Sequence, residues 1–358
     1  KSFGTTKKFR NENHLDVHRL TAATMFQVPI DEVTDDQRTV GKTIRHANNY
    51  CVTADTEVLT KAGWLPISQL KNDVQIAQWE NKKISFVTPS ELLSFDYNEK
   101  MFQFKQKSFS QTLSPNHRMP TSLGVKTSDE MFYNRNADLR LPTSGYFFPE
   151  EKIDDLDPIL FRLICAIQAD GSIRERENKR EITFTLKKER KILRLKLMLN
   201  SLGINASFYA TSDSRTGVYI NGNEYRWLFD FIKITNKQYG SWLLTLPYDC
   251  LDAIVDETKW WDSRRNSSSN TAWTSWQYYS KIKSNCEWIA TAAHLTGRRA
   301  VLSDSHPSVW TTSIQNRSVV SIDKSERNII NYHGKIYSVV VPSSFYLIRK
   351  DGVISVTG

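Results

Sequence analysis

Several side chains in this 358-residue sequence stand in arrangements that could do chemistry. Arg38, Lys42, His46 and Tyr50 recur every four residues, which lines up two cations, an imidazole and a phenol on one helical face. Such a stripe suits a triphosphate lying along the helix, and equally a plain solvated charged face. Asp170 closes an apolar run at 160–169 and is followed by Gly171. A carboxylate at a helix C-terminus is electrostatically disfavoured and needs a compensating cation, which a divalent metal would supply. The plain alternative is a buried helix ending in a glycine cap. Cysteines at 51, 165, 250 and 286 form neither a disulfide framework nor a CxxC metal pattern, so each thiol is read individually. Lys187, Lys188, Arg190, Lys191, Arg194 and Lys196 crowd one segment and Arg264-Arg265 another. Cations so placed contact phosphates, or simply solvate a surface.

These residues need elements to hold them. Thr34 and Gln37 form a capping box ahead of a helix at 35–50, with Asp35 and Asp36 in the first turn where the dipole favours them. From 51 to about 143 the pattern turns to strands, at 57–60, 74–79, 84–87, 101–104 and 111–113. The texture returns at 336–341, 345–349 and 353–356, the last two a hairpin around Lys350-Asp351-Gly352, where Asp-Gly supplies positive φ angles. Two β pieces so far apart suggest one domain carrying a large insertion, at about 155–320, that is helix-rich and more basic. In it Asp157-Pro158 caps and opens a helix over 160–169 with Gly171 as a left-handed terminator. A hairpin at 172–186 precedes the basic helix, which Gly203 closes, and Ser284-x-x-Glu287 caps another helix ending at Gly297. Trp260, Trp261, Trp273, Trp276, Tyr278 and Tyr279 read as packing, and Cys165, Cys250 and Cys286 as structural.

The length admits two or three domains. A net charge of +9 and pI near 9.2 favour a polyanionic partner. No secretory leader and no membrane-length apolar run are present, so the expectation is a soluble, cytoplasmic monomer, and a first residue of Lys marks a fragment.

Three resemblances sharpen these expectations. The segment HLDVHRLTAATMFQVPIDEVTDDQRTVGKTIRHANNY, residues 14–50, resembles the fingers region of family A DNA polymerases, with Asp16-Val17-His18, Thr21-Ala22 and then Arg-x3-Lys-x3-x-x3-Tyr. The resemblance implies nucleotide-phosphate contacts from Arg38 and Lys42, with Tyr50 at the base end; His46 stands where bacterial members have Phe. In that family a Gly follows the Tyr, whereas here Cys51 does, and the resemblance stops there. No palm carboxylates appear downstream, which excludes polymerisation by this chain alone.

The β pieces resemble the Hint fold of inteins. CVTADTEVLTKAGW at 51–64 is similar to the family's opening block, which implies that the Cys51 thiol attacks the Tyr50 carbonyl and converts the amide to a thioester. Ser114-Pro115-Asn116-His117 resembles the Thr-x-x-His block, implying His117 as the acid for the amide nitrogen and Ser114 as the group that orients it. The ending, through Thr357 to Gly358, resembles the closing strands of inteins in phage-type polymerases, which finish Thr-Gly-Asn. Ser338 stands where relatives carry Asp or Cys, and the C-terminal histidines are absent. Tyr50 and Gly358 then flank the two splice junctions, with Asn and a Ser, Thr or Cys expected beyond Gly358. As given, the chain would start the reaction without completing it.

LICAIQADG at 163–171 resembles the LAGLIDADG motif of homing endonucleases, and VDETKWWDS at 255–263 a degenerate second copy with Ser263 in place of Gly. The resemblance implies an α/β domain with pseudo-twofold symmetry, Asp170 and Asp262 jointly holding Mg²⁺, and small residues (Cys165, Ala166, Ala169, Ala253) where the two helices cross. It further implies duplex DNA bound through Lys187, Lys188, Arg190, Lys191, Arg264 and Arg265, at a target that is the uninterrupted polymerase gene. The expected organisation is a helical polymerase fragment at 1–50, a mainly β Hint horseshoe in two parts at 51–150 and 323–358, and the α/β endonuclease at 151–322. The competing expectation is a splicing element whose insertion has decayed to a non-cleaving DNA-binding domain; Ser263 favours it, the Asp170–Asp262 pair opposes it.

Overall fold

The computed structural model describes residues 16–47, 50–135, 139–149, 156–177, 179–265, 274–306 and 308–358. Its N-terminal part is a helix pair, α1 (Val17–Phe26) and α2 (Asp35–Ala47). Asp16 caps α1 by accepting the His18 and Arg19 amides at 3.0 and 3.2 Å, and also pairs with Arg38 of α2. The Thr34–Gln37 capping box is present, with bonds of 3.0 and 3.2 Å. The helices cross at Gly41, where a Cβ would lie 2.4 Å from the His18 carbonyl oxygen. The expected stripe is not kept: Tyr50 stands in a bend outside α2, and Arg38 is paired with Asp16. The side chains of Lys42 and His46 lie outside the described residues.

The two β pieces interleave in shared sheets. A closed barrel runs in the order Val52–Thr53, Arg327–Val340, Glu91–Gln106, Phe109–Leu113. A second sheet runs Tyr146–Phe147, Lys83–Val87, Ile76–Glu80, Glu57–Thr60, Tyr346–Lys350, Val353–Thr357, with Gly63–Pro66 on its side. A short helix, α3 (Ser128–Tyr133), carries its own capping box, Thr127 with Glu130. Val52, Phe104, Phe109, Leu113, Tyr346 and Ile348 are among the buried side chains these sheets share. Asp351 and Gly352 have φ of 51° and 74°, the mirror-image turn that matches the right-handed twist of a hairpin. Strands expected at 101–104 and 336–341 are the inner ends of longer strands that pair from Arg327↔Phe104 to Val340↔Glu91. Midway along this pairing, residues 96–100 lie against 331–335 as a two-stranded ribbon that is mostly exposed.

The insertion is built twice on one plan. Helix α4 (Pro158–Asp170) feeds a four-stranded sheet ordered Gly171–Arg176, Lys179–Leu186, Thr216–Asn221, Ala206–Ala210, with α5 (Glu189–Ser201) and α6 (Arg226–Ile234). Helix α7 (Tyr248–Glu257), continued by a 3-10 turn at Thr258–Trp260, feeds a sheet ordered Ser263–Arg265, Ser275–Ser280, Val309–Gln315, Arg299–His306, with α8 (Lys283–Leu295). Both sheets have the order first, second, fourth, third. Cys165 and Ala166 of α4 and Ala253 of α7 are buried where these helices pack together, and the Tyr239 hydroxyl donates to Cys165 Sγ at 3.2 Å.

Two expected caps are corrected. Gly171 is extended (φ −76°, ψ 156°), not left-handed. It is glycine because the chain turns directly from helix into strand against its own last turn, where a Cβ would stand 2.8 Å from Ile167 Cα. Helix α8 begins at Lys283 with no side-chain cap; the Ser280 hydroxyl takes the Ile282 amide (3.1 Å), so the chain is already helical at Ser284. Gly297, at φ 77°, does end it. Helix α8 also seats the insertion on the β sheet: Trp64 Nε1 donates to Thr291 at 2.9 Å, and fully buried His294 bonds the Thr143 carbonyl at 2.6 Å. None of the four cysteines is in a disulfide, and no helix among the described residues is long and apolar enough to cross a membrane.

Candidate active sites

Cys51 enters the barrel at its first strand, and its backbone is what the neighbouring strands hold. Its amide N–H donates to Ser114 Oγ at 3.0 Å and its carbonyl accepts from the Ser114 amide at 3.1 Å. Ser114 follows directly on Phe109–Leu113, and the turn from Ser114 to His117 is closed by the His117 amide on the Ser114 carbonyl (3.1 Å). The amide between Tyr50 and Cys51 is thereby gripped by the hydroxyl expected to orient it.

His117 is fully buried and stands between the two ends of the segment 51–358. Its Nε2 lies 2.6 Å from Thr357 Oγ1 and accepts the Gly358 amide at 3.3 Å. Nδ1 is buried and makes no hydrogen bond of good geometry. Burial pushes the His117 pKa down to about 3, offset in part by the Cys51 backbone beside it, so the ring is neutral at pH 7. Acceptance from Gly358 requires a lone pair on Nε2, which leaves the ring proton on Nδ1. With Nε2 unprotonated the single proton of Thr357 Oγ1 goes to it, Gln111 Oε1 stands 3.2 Å from the same hydroxyl, and Gln111 Nε2 donates to Ser355 Oγ and the Val356 carbonyl, each at 2.9 Å. Burial pushes the Cys51 thiol up to about 12. The Tyr346 hydroxyl, also raised by burial and with Cys51 nearby, is fully buried beside the Val339 backbone.

Tyr50 and Gly358 line one cavity of about 240 Å³, together with Arg118, Ser338 and Ser344. The Arg118 guanidinium lies over the Tyr50 ring, 5.8 Å from its centroid. Residues far apart in sequence thus converge on one spot: Tyr50, Cys51, Ser114, His117, Thr357 and Gly358. Gln111, Thr357, Tyr346 and Arg118 were not singled out by the sequence, because each reads there as an ordinary strand residue.

The second site lies where α4 and the turn after α7 meet. Asp170 ends α4, and its Oδ2 receives Lys191 Nζ of α5 at 2.5 Å. Lys237 Nζ donates to the Gly171 carbonyl, also at 2.5 Å. Burial, and then Asp170 beside it, push the Asp262 carboxyl up, while Lys191, Lys237 and Lys188 oppose the rise. Two carboxylates and two lysines therefore share one partly buried site. The compensating cation that Asp170 needs is here a lysine. Among the described residues no three His, Cys, Asp or Glu side chains stand together as a metal cage. A hard cation such as Mg²⁺ fits the pair nevertheless, since it is commonly held by one or two carboxylates, with water and substrate phosphates completing its shell.

The turn that carries Asp262 is pinned by a residue the sequence gave no reason to select. Glu257 is fully buried, bonded to Arg162 of α4 at 3.1 Å, to Arg194 of α5 through two bonds of 2.5 Å, and to Trp261 Nε1 at 2.8 Å. This corrects the reading of the basic helix. Lys191 is buried against Asp170 and Arg194 is committed to Glu257, so neither presents its charge to a phosphate. Lys187, Lys188 and Arg264 are exposed; Arg190 is exposed and donates to the Trp260 carbonyl at 2.8 Å. The side chain of Arg265 lies outside the described residues.

Comparison with known proteins follows this geometry. Residues 157–233, the first of the two repeats, match the family described as LAGLIDADG-like domain. The chain carries a LAGLIDADG-like α/β domain there. Among solved structures it is similar to the homing endonuclease I-DmoI in complex with DNA and Mn (TM-score 0.34, 12% identity, 44% of this chain and 89% of that one). It is similar also to full-length DUF199/WhiA from Thermatoga maritima (TM-score 0.32, 9% identity, 46% and 53%). Among curated proteins it is 30% identical over 84 residues to the ATP-dependent Clp protease proteolytic subunit of Chlamydomonas moewusii, 23% of this chain and 8% of that protein. It is 23% identical over 354 aligned residues to the ribonucleoside-diphosphate reductase subunit beta of Aquifex aeolicus, 86% of this chain and 50% of that protein. The chain spans half or less of the length of each of these two curated relatives.

Proposed function

We propose that residues 51–358 are a self-splicing intein of Hint fold that interrupts a family A DNA polymerase after Tyr50, with an inserted endonuclease that cuts the uninterrupted gene. The observation that carries the splicing half is the meeting of both ends of the element at Ser114 and His117. Ser114 holds the Cys51 amide at 3.0 Å, and His117 takes the Gly358 amide at 3.3 Å. Cys51 Sγ attacks the Tyr50 carbonyl carbon; the C–S bond forms, the C–N bond breaks, and the thiol proton ends on the Cys51 nitrogen. A thiol pushed to about 12 keeps its proton until attack, and a His117 held near 3 stores none. His117 therefore works as a relay, taking up the thiol proton as sulfur attacks and returning it to the departing Cys51 nitrogen, so that the ring ends neutral as it began. At the other junction an Asn after Gly358 would cyclise to release the downstream segment, with the backbone before it held by His117 Nε2. No C-terminal histidine is needed on this reading.

Two curated relatives with unrelated names, a protease subunit and a reductase subunit, share stretches with this chain. That supports an element inserted in unrelated hosts better than a domain proper to either. For the endonuclease half, Asp170 and Asp262 would hold Mg²⁺, which supplies an activated water and stabilises the leaving oxygen when bound. The chain's own lysines orient the carboxylates and the exposed cations grip DNA phosphates. The element acts as a cytoplasmic monomer. A non-cleaving DNA-binding insertion is favoured instead by Ser263 and by Lys191 filling the place of a cation at Asp170.

A strong external thiol should release residues 1–50, read by mass spectrometry, and Cys51→Ala should abolish release. An unchanged intact mass in the parent would overturn the splicing assignment. A plasmid bearing the joined polymerase sequence should be cut in Mg²⁺; binding without cutting selects the decayed reading.

A further inference from the structure

A cavity of about 690 Å³ opens away from both sites, where the β sheets meet the second repeat of the insertion. Its wall carries Lys107 from a barrel turn, Arg140 from the chain before Leu141–Pro142, Arg299 at the start of its strand and Arg317 just past Val309–Gln315, with Asp323 and Glu326 on the rim. Among the described residues none of the four cations is paired with a carboxylate. Arg299 donates from a terminal nitrogen to Gln315, while its buried Nε has no hydrogen-bond partner among the described residues. Burial and the neighbouring Arg317 both disfavour its charge. Asp323 faces Arg327, a cation outside the lining, which leaves it less able to balance the four. Four cations against two carboxylates leave this concavity net positive, and a net positive concavity focuses its field and attracts an anion.

We propose that this seam is a phosphate-binding site, and that its phosphates are those of duplex DNA running off the insertion. Guanidinium forks match phosphate oxygens in pairs, and the buried Nε of Arg299 has a donor to give. The strand register supplies the direction. Arg265 pairs with Trp276, and Gln315 pairs with both Ser275 and Arg299, so Arg299 and Arg317 lie at the end of the second sheet where Arg265 lies. A duplex gripped along that sheet continues over the cavity and onto Lys107 and Arg140 of the β part. Only the source of the phosphate rests on the DNA-binding reading above.

The test measures the salt dependence of binding to a labelled duplex by fluorescence anisotropy, and of pyrophosphate binding by calorimetry. Each phosphate contact contributes about 0.9 to the slope of log K against log salt concentration. The triple variant Arg140→Gln, Arg299→Gln, Arg317→Gln should lower that slope by about two to three and lose pyrophosphate binding. The double variant Arg140→Gln, Arg317→Gln, which changes only exposed side chains, should lower it by about two. Loss of pyrophosphate with an unchanged duplex slope keeps the phosphate site and overturns the duplex as its source. Unchanged values in both arms overturn the proposal. Lys187→Gln with Lys188→Gln is the control: if it too leaves duplex binding unchanged, the DNA reading fails on its own, and the pyrophosphate arm still decides the cavity.

Discussion

Lowering the pH should destabilise the fold, and part of that loss should vanish when His117 is replaced. The folded chain holds this imidazole near 3 through burial, against 6.5 in an exposed chain. Because the folded value is the lower, the unfolded chain takes up the proton first as pH falls. The contribution to stability is whole above about 6.5 and is lost as pH drops from there toward 3. Between pH 7 and pH 5 a difference of this size corresponds to about 2 kcal/mol. His294 is also buried with a lowered pKa, but it is present in parent and variant alike, so comparison with His117→Gln cancels it. Urea unfolding at pH 7 and pH 5 should show the parent losing about 2 kcal/mol more than His117→Gln. Equal losses would mean that His117 is not held neutral between Cys51 and Gly358, and the relay would have no basis.

Ser114→Ala leaves the buried Cys51 amide without its acceptor; it should destabilise by about 1–3 kcal/mol in urea unfolding and slow thiol-induced release of residues 1–50. Glu257→Gln breaks a fully buried pair with two arginines and should cost about 3–5 kcal/mol, read as a lower denaturation midpoint. Lys191→Ala removes the cation beside Asp170 and Asp262, so added Mg²⁺ should raise its Tm more than the parent's; an identical shift would place the metal elsewhere. Asp170→Asn should abolish Mg²⁺-dependent cutting while duplex binding persists.

Local structure was legible wherever one face of an element is buried. The strands read at 57–60 and 111–113 lie within Glu57–Thr60 and Phe109–Leu113, and the Asp351-Gly352 hairpin stands where turn chemistry places it. The Thr34–Gln37 box and the Asp157 cap, which accepts the Ile159 amide at 2.8 Å, were read from adjacent residues because their bonds are short-range. The full length of Glu91–Gln106 was not legible, since its middle at 96–100 is mostly exposed and polar. Gly171 was read correctly as an obligatory glycine for the wrong reason, because a close approach and a positive φ look alike in one dimension.

By itself the sequence determined the types and order of the reactive groups: a cysteine opening a β piece, a Ser-x-x-His behind it, and an aspartate closing each of two related segments. Only the tertiary structure decided what each group touches. His117 meets Thr357, 240 positions away, by packing, and Ser114 meets Cys51, 63 positions away, beside the Val52↔Leu113 strand pairing. Lys191 and Lys187 are indistinguishable in the sequence, four residues and one helical turn apart on the same basic run. One lies in α5 and is buried against Asp170, whereas the other precedes that helix, whose N-cap is Lys188, and faces solvent. Charge and spacing are properties of the chain, whereas burial and partner come from packing, and packing is what moves the thiol to about 12 and the imidazole to about 3.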